Sequence, residues 1–276
     1  LYLYIMSIQL RWSIIKEFSG GNTLSFTFQD VEKLFPKKNR IFLAKVLAEM
    51  VENGLIGKVA RNNYHIIPFN ADPETYKPNE LQVAKYLMSN KEYYIGYASA
   101  MKVHGLSPQS ELLEYVVTKT QIKPSIKQVR GITYQFLQHD TARFFGFESM
   151  WINQFEEALV SDLEKTIVDI ATKPQLCGGI IEVGKFLTQS QARIDHNKLF
   201  YYFARNRNKS AKKRFLFLTD LLNMEWTDDH HRMKEELGSG FSLLDPSATD
   251  QGKKRKQFGL KVNVDSELIK KQVLIP

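Results

Sequence analysis

One cysteine, Cys177, stands in the whole 276-residue chain, which excludes an internal disulfide and fits a reducing cytosol. No apolar run approaches the ~20 residues of a membrane-spanning helix, so the expected location is cytoplasmic, with no membrane partner. Zinc spacings are missing: there is no C-x-x-C and no H-E-x-x-H. G-x-S-x-G, the Walker A loop and G-x-G-x-x-G are missing too. Neither Glu-x-Lys nor Asp-x-Lys occurs anywhere, which removes the tripeptide by which many restriction-type nucleases hold Mg²⁺ and the attacking water. Gly238-Ser239 has no Asp-x-Asp after it, as a minimal nucleotidyltransferase would require, and Asp162-Leu163-Glu164 sits in a helical pattern. The expectation is a non-enzyme with no catalytic residue, no metal and no cofactor. A divergent metal-dependent DNA-processing nuclease is the alternative.

Positive charge is what the chain has in excess. The formal charge is +8 and the pI about 9.3, a balance that favours polyanionic partners. The excess is uneven: +3 over residues 1–78, −1 over 79–190 and +6 over 191–276.

Residues 27–67 carry the clearest local pattern. Thr27 is placed to cap a short helix over 28–35, with acidic or amide residues in its first turn, and Pro36 ends it. Lys37-Lys38-Asn39-Arg40 opens a second helix to about Asn53, with Leu43, Val46, Leu47, Met50 and Val51 on one face. Gly54 closes it as a left-handed residue. Leu55–Val59 and Tyr64–Ile67 form a strand pair around Ala60-Arg61-Asn62-Asn63, whose asparagines tolerate positive φ. Helix, turn, helix and hairpin is the layout of a winged helix-turn-helix. A recognition helix enters the major groove by its N-terminal residues. Lys37, Lys38 and Arg40 therefore suit phosphates, Asn39 or Arg40 suits base edges, Lys45 lines the same helix, and Arg61 with Asn62 forms the wing tip. Three cations at a helix start also describe an ordinary solvated surface, and winged helices serve as protein-binding modules as well.

A helix over 7–18, with Ile8, Trp12, Ile15 and Phe18 inward, should precede this unit and pack beneath it. Gly20-Gly21 ends that helix. Met6 is the more natural start, with residues 1–5 an upstream remnant. The proline-bearing stretch 71–78 reads as a linker, which divides the chain into a domain over 6–70 and a larger mixed α+β domain over 79–276. In the latter, helices are expected over 79–89, 97–104, 162–171, 180–188, 195–206 and 212–223. Strands are expected at 93–96, 115–118, 132–137, 144–147 and 158–160, the 132–137 and 144–147 runs forming a hairpin. Arg205, Arg207, Lys209, Lys212, Lys213 and Arg214 make a basic connector, either solvated or a second phosphate contact. Phe241–Leu244 and Leu260–Val264 are able to pair around a loop holding Lys253–Lys256. Asp228-Asp229-His230-His231 reads as an exposed polar turn, with weak chelation of a metal as the lesser alternative, and the isolated histidines as satisfied or surface side chains.

Three segments then resemble the AbiEi-type antitoxins of type IV, abortive-infection toxin–antitoxin systems. They are Asn53–Pro68, similar to that family's wing; Tyr94-Ile95-Gly96-Tyr97-Ala98-Ser99-Ala100-Met101-Lys102-Val103-His104-Gly105-Leu106; and Val160-Ser161-Asp162-Leu163-Glu164-Lys165-Thr166-Ile167-Val168-Asp169, with Gly178-Gly179 beyond it. Asn62-Asn63 stand where the family's wing often has a glycine. The resemblance implies a phage-defence antitoxin that is also an autorepressor. Its winged helix would bind inverted repeats in promoter DNA, and its C-terminal domain would counter a nucleotidyltransferase-like toxin without a stable complex.

Overall fold

The computed structural model describes residues 2–20, 24–88, 91–105, 113–129, 131–152, 157–225 and 227–274, excluding the side chains of 2–6 and 20. The architecture is α+β, and packing divides it into two units. One is drawn from residues 1–91 with Lys127–Tyr134 and 150–158; the other takes the remainder.

The first unit runs α1 (Tyr2–Gly20), β1 (Ser25–Thr27), α2 (Phe28–Leu34), α3 (Arg40–Glu52), β2 (Ile56–Ala60), β3 (Asn63–Ile66) and α4 (Glu80–Leu87). Thr27 caps α2, as its position implies, and the structure adds a reciprocal box with Asp30. The three strands form one sheet in the order β1-β3-β2, both pairs antiparallel. Strand β1 has no counterpart in the sequence reading, because three residues carry no periodicity. Helix α1 packs on α3, but through Leu10, Ile14 and Ile15. Ile15 is buried and Phe18 packs against that core, as expected, whereas Ile8 and Trp12, also expected inside, are 36% and 58% exposed, so the buried stripe is shifted towards Leu10 and Ile14. The helix ends at Gly20, and Gly21 lies outside the described residues, as does Ser89 after α4.

The division between units does not fall at 71–78. Tyr76 OH bonds His65 Nε2 at 2.8 Å and its ring stacks on the imidazole. Helix α4 is tied to the same sheet, Gln82 Nε2 donating to Ser25 Oγ at 3.1 Å and Asn63 Nδ2 to the Tyr86 carbonyl at 3.4 Å. A proline-rich composition signals an extended chain, not an unpacked one.

From Tyr93 the chain forms β4 (Tyr93–Ile95), α5 (Tyr97–Val103), β5 (Leu113–Thr118), β6 (Ile126–Val129), β7 (Ile132–Gln138), β8 (Phe147–Trp151), β9 (Glu157–Ser161), α6 (Leu163–Thr172), α7 (Ile180–Ser190), α8 (His196–Asn206), α9 (Lys209–Leu221), α10 (Asp228–Glu235), β10 (Ser242–Leu243), β11 (Lys253–Arg255), β12 (Leu260–Val262) and α11 (Ser266–Leu274). Strands β4 to β9 share a sheet ordered β6-β7-β5-β4-β9-β8. The expected hairpin of 132–137 with 144–147 is therefore wrong: β7 lies between β6 and β5, while β8 is the opposite edge. Helix α6 is the centre of the second core, packed against α5, α7, α8 and α9. Its cap, Asp162, accepts from Lys165 N at 2.8 Å. In the C-terminal stretch β10 and β12 do pair, in parallel, but Lys253–Arg255 is itself the strand β11 and not a loop.

Gly54 follows α3 at φ +68°, and a Cβ there would meet the Pro73 ring at 2.7 Å. Gly54→Ala is expected to lower stability by about 1–3 kcal/mol, read as a reduced urea midpoint at unchanged slope.

Candidate nucleic-acid interface

The turn between α2 and α3 places the first group of cations. Asn39 is the N-cap of α3: its Oδ1 accepts from Ile41 N at 2.7 Å, and its backbone is extended. Lys37 and Lys38 therefore belong to the turn and not to the helix. Lys37 and Asn39 are exposed and Lys38 is half-buried. Arg40, the first helical residue, lies 5.0 Å over the Phe28 ring and 3.2 Å from Glu32. Its guanidinium is thus aimed back at α2, although the side chain stays largely exposed.

The hairpin borders the same region. Arg61 and Asn62 form a two-residue turn, both exposed, with Asn62 at φ +63°. The Asn62 carbonyl accepts from Phe28 N at 2.8 Å, so the tip is pinned at the start of α2. Phe28 joins the pieces: its N–H holds the hairpin and its ring carries Arg40. Lys45 is exposed one turn further along α3. Lys58, on β2, and Lys33, on α2, are exposed as well and are absent from the sequence expectations; a lone lysine within an otherwise apolar strand is the signal for Lys58.

The second group of cations fares differently. Arg205–Arg214 is no connector: α8 ends at Asn206, Arg207 takes a left-handed conformation, Asn208 caps α9, and Lys209 to Arg214 are helical. Arg205 stacks on the Phe145 ring at 4.1 Å; Arg207 and Lys209 are exposed. Lys212, Lys213 and Arg214 are buried. Lys212 pairs with Glu236 at 2.6 Å, and Lys213 donates to the Gly240 carbonyl. Arg214 donates to four carbonyls, of Leu243, Leu244, Ala171 and Thr172, at 2.9 to 3.1 Å. Burial lowers its pKa to about 10, still charged at neutral pH. These three are internal ties and are not available to phosphate.

A polar chain crosses the core of the second unit. Lys165 bonds Asp169, Tyr94 OH donates to Asp169 Oδ2 at 2.9 Å, and His139 links Tyr94 OH (3.0 Å) to Tyr97 OH (2.9 Å). Because Tyr94 donates to the carboxylate, it accepts from His139 Nδ1–H, which leaves Nε2 to accept from Tyr97. All five side chains are buried. Burial pushes both tyrosines well up, with Asp169 adding to it, pushes Lys165 down, and lowers His139 to about 4. The chain has every partner it needs and reads as a structural network. Similarly, Gly178-Gly179 opens α7 at positive φ, and Asp245 Oδ2 fills the niche, accepting from Ile180 N at 2.7 Å. An interior carboxylate stands where an anion would bind.

His230, expected on an exposed turn, is buried in the first turn of α10 with Nδ1 bonded to Thr227 N at 3.0 Å; burial lowers it to about 4, with His196 and His231 contributing. It lines a cavity of about 500 Å³ with His196, Phe215, Thr219 and Glu225. No lysine or arginine lines that cavity, so it is unsuited to phosphate. Among the described residues no group of three histidine, cysteine or acidic side chains is placed to hold a metal, and no helix is long and apolar enough to cross a membrane.

By fold, then, the chain is an α+β protein whose cations are exposed around α3 and largely internal around α9. The structure is similar to that of the RV2827C protein from Mycobacterium tuberculosis, with a TM-score of 0.62 at 14% identity over 91% of this chain and 90% of that one. The likeness concerns the fold. No family model matches the chain, and no curated protein matches it.

Two outcomes are expected of the second unit. Lys165→Met strands a buried carboxylate and should cost about 3–5 kcal/mol, with Lys165→Met/Asp169→Leu recovering part of it; denaturant unfolding separates the two. His139 and His230 are neutral when folded but titrate near 6.5 when unfolded, so the unfolded chain binds more protons between about pH 4 and 6.5. Stability is then fully present above about pH 6.5 and is lost as pH falls towards 4, by about 2–3 kcal/mol per histidine. His139→Gln should flatten that slope, read from unfolding midpoints across the window.

Proposed function

We propose that the first unit is a winged helix-turn-helix that binds double-stranded promoter DNA, and that the whole chain is the antitoxin and autorepressor of a toxin–antitoxin operon. One observation carries the DNA half: the outward face of α3 is exposed and bordered by Lys37, Lys38, Arg40, Lys45 and, on the hairpin, Arg61. A helix about 10–12 Å across fits a major groove about 12 Å wide. Laid there, the turn lysines face one phosphate ridge, while Arg61 and Asn62 approach the neighbouring groove. Arg40 reaches a phosphate by giving up Glu32, a surface pair of small worth. The antitoxin half rests on the resemblance of residues 53–68, 94–106 and 160–169, and its partner is a nucleotidyltransferase-like toxin met without a stable complex. The Arg205–Lys209 surface contributes at most Arg205, Arg207 and Lys209 to DNA.

Binding of the full chain to duplex DNA should weaken steeply with salt. Lys37→Ala and Lys45→Ala should each reduce the slope of log K against log salt by about 0.9, measured by fluorescence anisotropy at several salt concentrations. No duplex binding, or slopes unaltered by both variants, would reject this interface. In cells carrying the adjacent toxin gene, the full chain with Lys37→Ala, Lys45→Ala and Arg61→Ala together should lose promoter repression and still restore growth. Loss of growth rescue by a variant of unchanged thermal stability would contradict the division between repression and neutralisation.

A further inference from the structure

At the start of α3 the two candidates for a base edge are turned to other tasks, Asn39 to capping the helix and Arg40 back towards α2, from which it reaches a phosphate more readily than a base. Asn39 Oδ1 is bonded to Ile41 N at 2.7 Å, and Arg40 is held between Phe28 and Glu32. What α3 turns outward past that point is Ile41, Ala44, Lys45 and Ala48, with Glu52 at the far end. Ile41 is 79% exposed, the most exposed of the large hydrophobic side chains on the described residues. Ala44 and Ala48 are exposed beside it at i+3 and i+7, and Lys45 at i+4. The opposite face, Leu43, Val46, Leu47 and Met50, is buried, so Ile41 has no role in the core. Single exposed hydrophobics are common, but this one leads a face of alanines that lets a helix backbone approach closely, inside a border of cations.

We infer that Ile41, with Ala44 behind it, is a specificity-determining contact for the 5-methyl group of thymine in the major groove. The duplex this chain prefers then carries an A·T pair facing the first turn of α3. The inference rests on the DNA-binding reading above and adds to it what is read. The thymine methyl is the one apolar feature that the major groove displays, and it is met by apolar side chains where guanine and adenine are met by arginine, asparagine and glutamine. Lysines in the turn and at position 45 neutralise phosphates on either side without selecting a base. Occupancy by nucleic acid is favoured over an apolar protein groove by that cationic border.

The test uses the full chain. Its preferred duplex is selected from a random-sequence pool, and each thymidine in it is then replaced by deoxyuridine, which removes the methyl group and keeps both base pairing and the O4 acceptor. One or two replacements should lower affinity about fourfold, the effect of one buried methyl-sized group, and Ile41→Ala should be insensitive to those same replacements while keeping the wild-type salt slope. Ile41 is exposed, so the variant is expected to fold; an unchanged melting temperature checks it. If wild type binds the selected duplex and no deoxyuridine matters, or if Ile41→Ala stays sensitive, the methyl contact is overturned while DNA binding stands. If no duplex is enriched at all, the DNA-binding reading fails and takes this inference with it. If Ile41→Ala leaves DNA affinity intact and converts a dimer to a monomer in sedimentation, the face belongs to a second copy of the chain and the inference is overturned.

Discussion

A single hydrogen bond, from Ile41 N to Asn39 Oδ1, decides what the first unit presents. By capping α3 it fixes Lys37 and Lys38 in the turn and makes Arg40 the first helical residue. Burial of the apolar stripe then sets the two faces of the helix. Leu43, Val46, Leu47 and Met50 face the core with Leu10 and Ile14 of α1, and Ile41, Ala44, Lys45 and Ala48 face out. A cap one residue earlier would draw a turn residue into the helix and leave that face unchanged, because burial of the apolar stripe sets it. The second fixed point is Phe28, which holds the hairpin tip by its N–H and the Arg40 guanidinium by its ring. The turn, the helix and the hairpin are thereby held to a common frame.

The elements that could be seen in the sequence are those with a local cause. Thr27, Asn79, Asp162 and Asp195 each cap the helix their position suggests, because a cap acts on backbone N–H groups two or three residues away. Gly54 was visible for the same reason. Strand pairing has no such local cause. The run Ile132–Gln138 is a strand, yet nothing within it says that its neighbours are β6 and β5; that choice depends on the whole sheet. Strands β1 and β6 and the final helix α11 were missed because three or four residues, or a charged helix near the end of the chain, give no apolar period of their own. Helix α1 failed only in part of its buried face. Ile15 and Phe18 face inward as their spacing implies, and the packing against α3 takes Leu10 and Ile14 beside them in place of Ile8 and Trp12.

The candidate interface was half legible for a related reason. Residue type and order pointed to Lys37, Lys45, Arg61 and Asn62, which are exposed, and to Lys38, which is half-buried. For Asn39 and Arg40 the sequence gave type but not commitment, since a cap and a pair with Glu32 are three-dimensional facts. Ile41 falls off the stripe of Leu43, Val46, Leu47 and Met50, so its spacing already turns it outward, but nothing in the sequence says what an outward isoleucine would meet.

Around α9 the same kind of evidence misleads, and the reason is physical. A cationic run counts as surface only if the chain that follows does not fold over it. Here it does: Glu236 reaches Lys212, the Gly240 carbonyl reaches Lys213, and the Leu243 and Leu244 carbonyls reach Arg214. Those acceptors belong to the segment 236–244, beyond α10, so the basic run is what fastens the C-terminal part of the chain to α9. Arg214 also takes the Ala171 and Thr172 carbonyls at the end of α6, where a cation is favoured by the exposed ends of the peptide dipoles. Part of the +6 carried by residues 191–276 is accordingly internal, and charge counted along the chain overstates what a polyanion would meet. The +3 of residues 1–78 is smaller but more of it faces solvent around one helix, and the local arrangement of cations is what decides where DNA would be held.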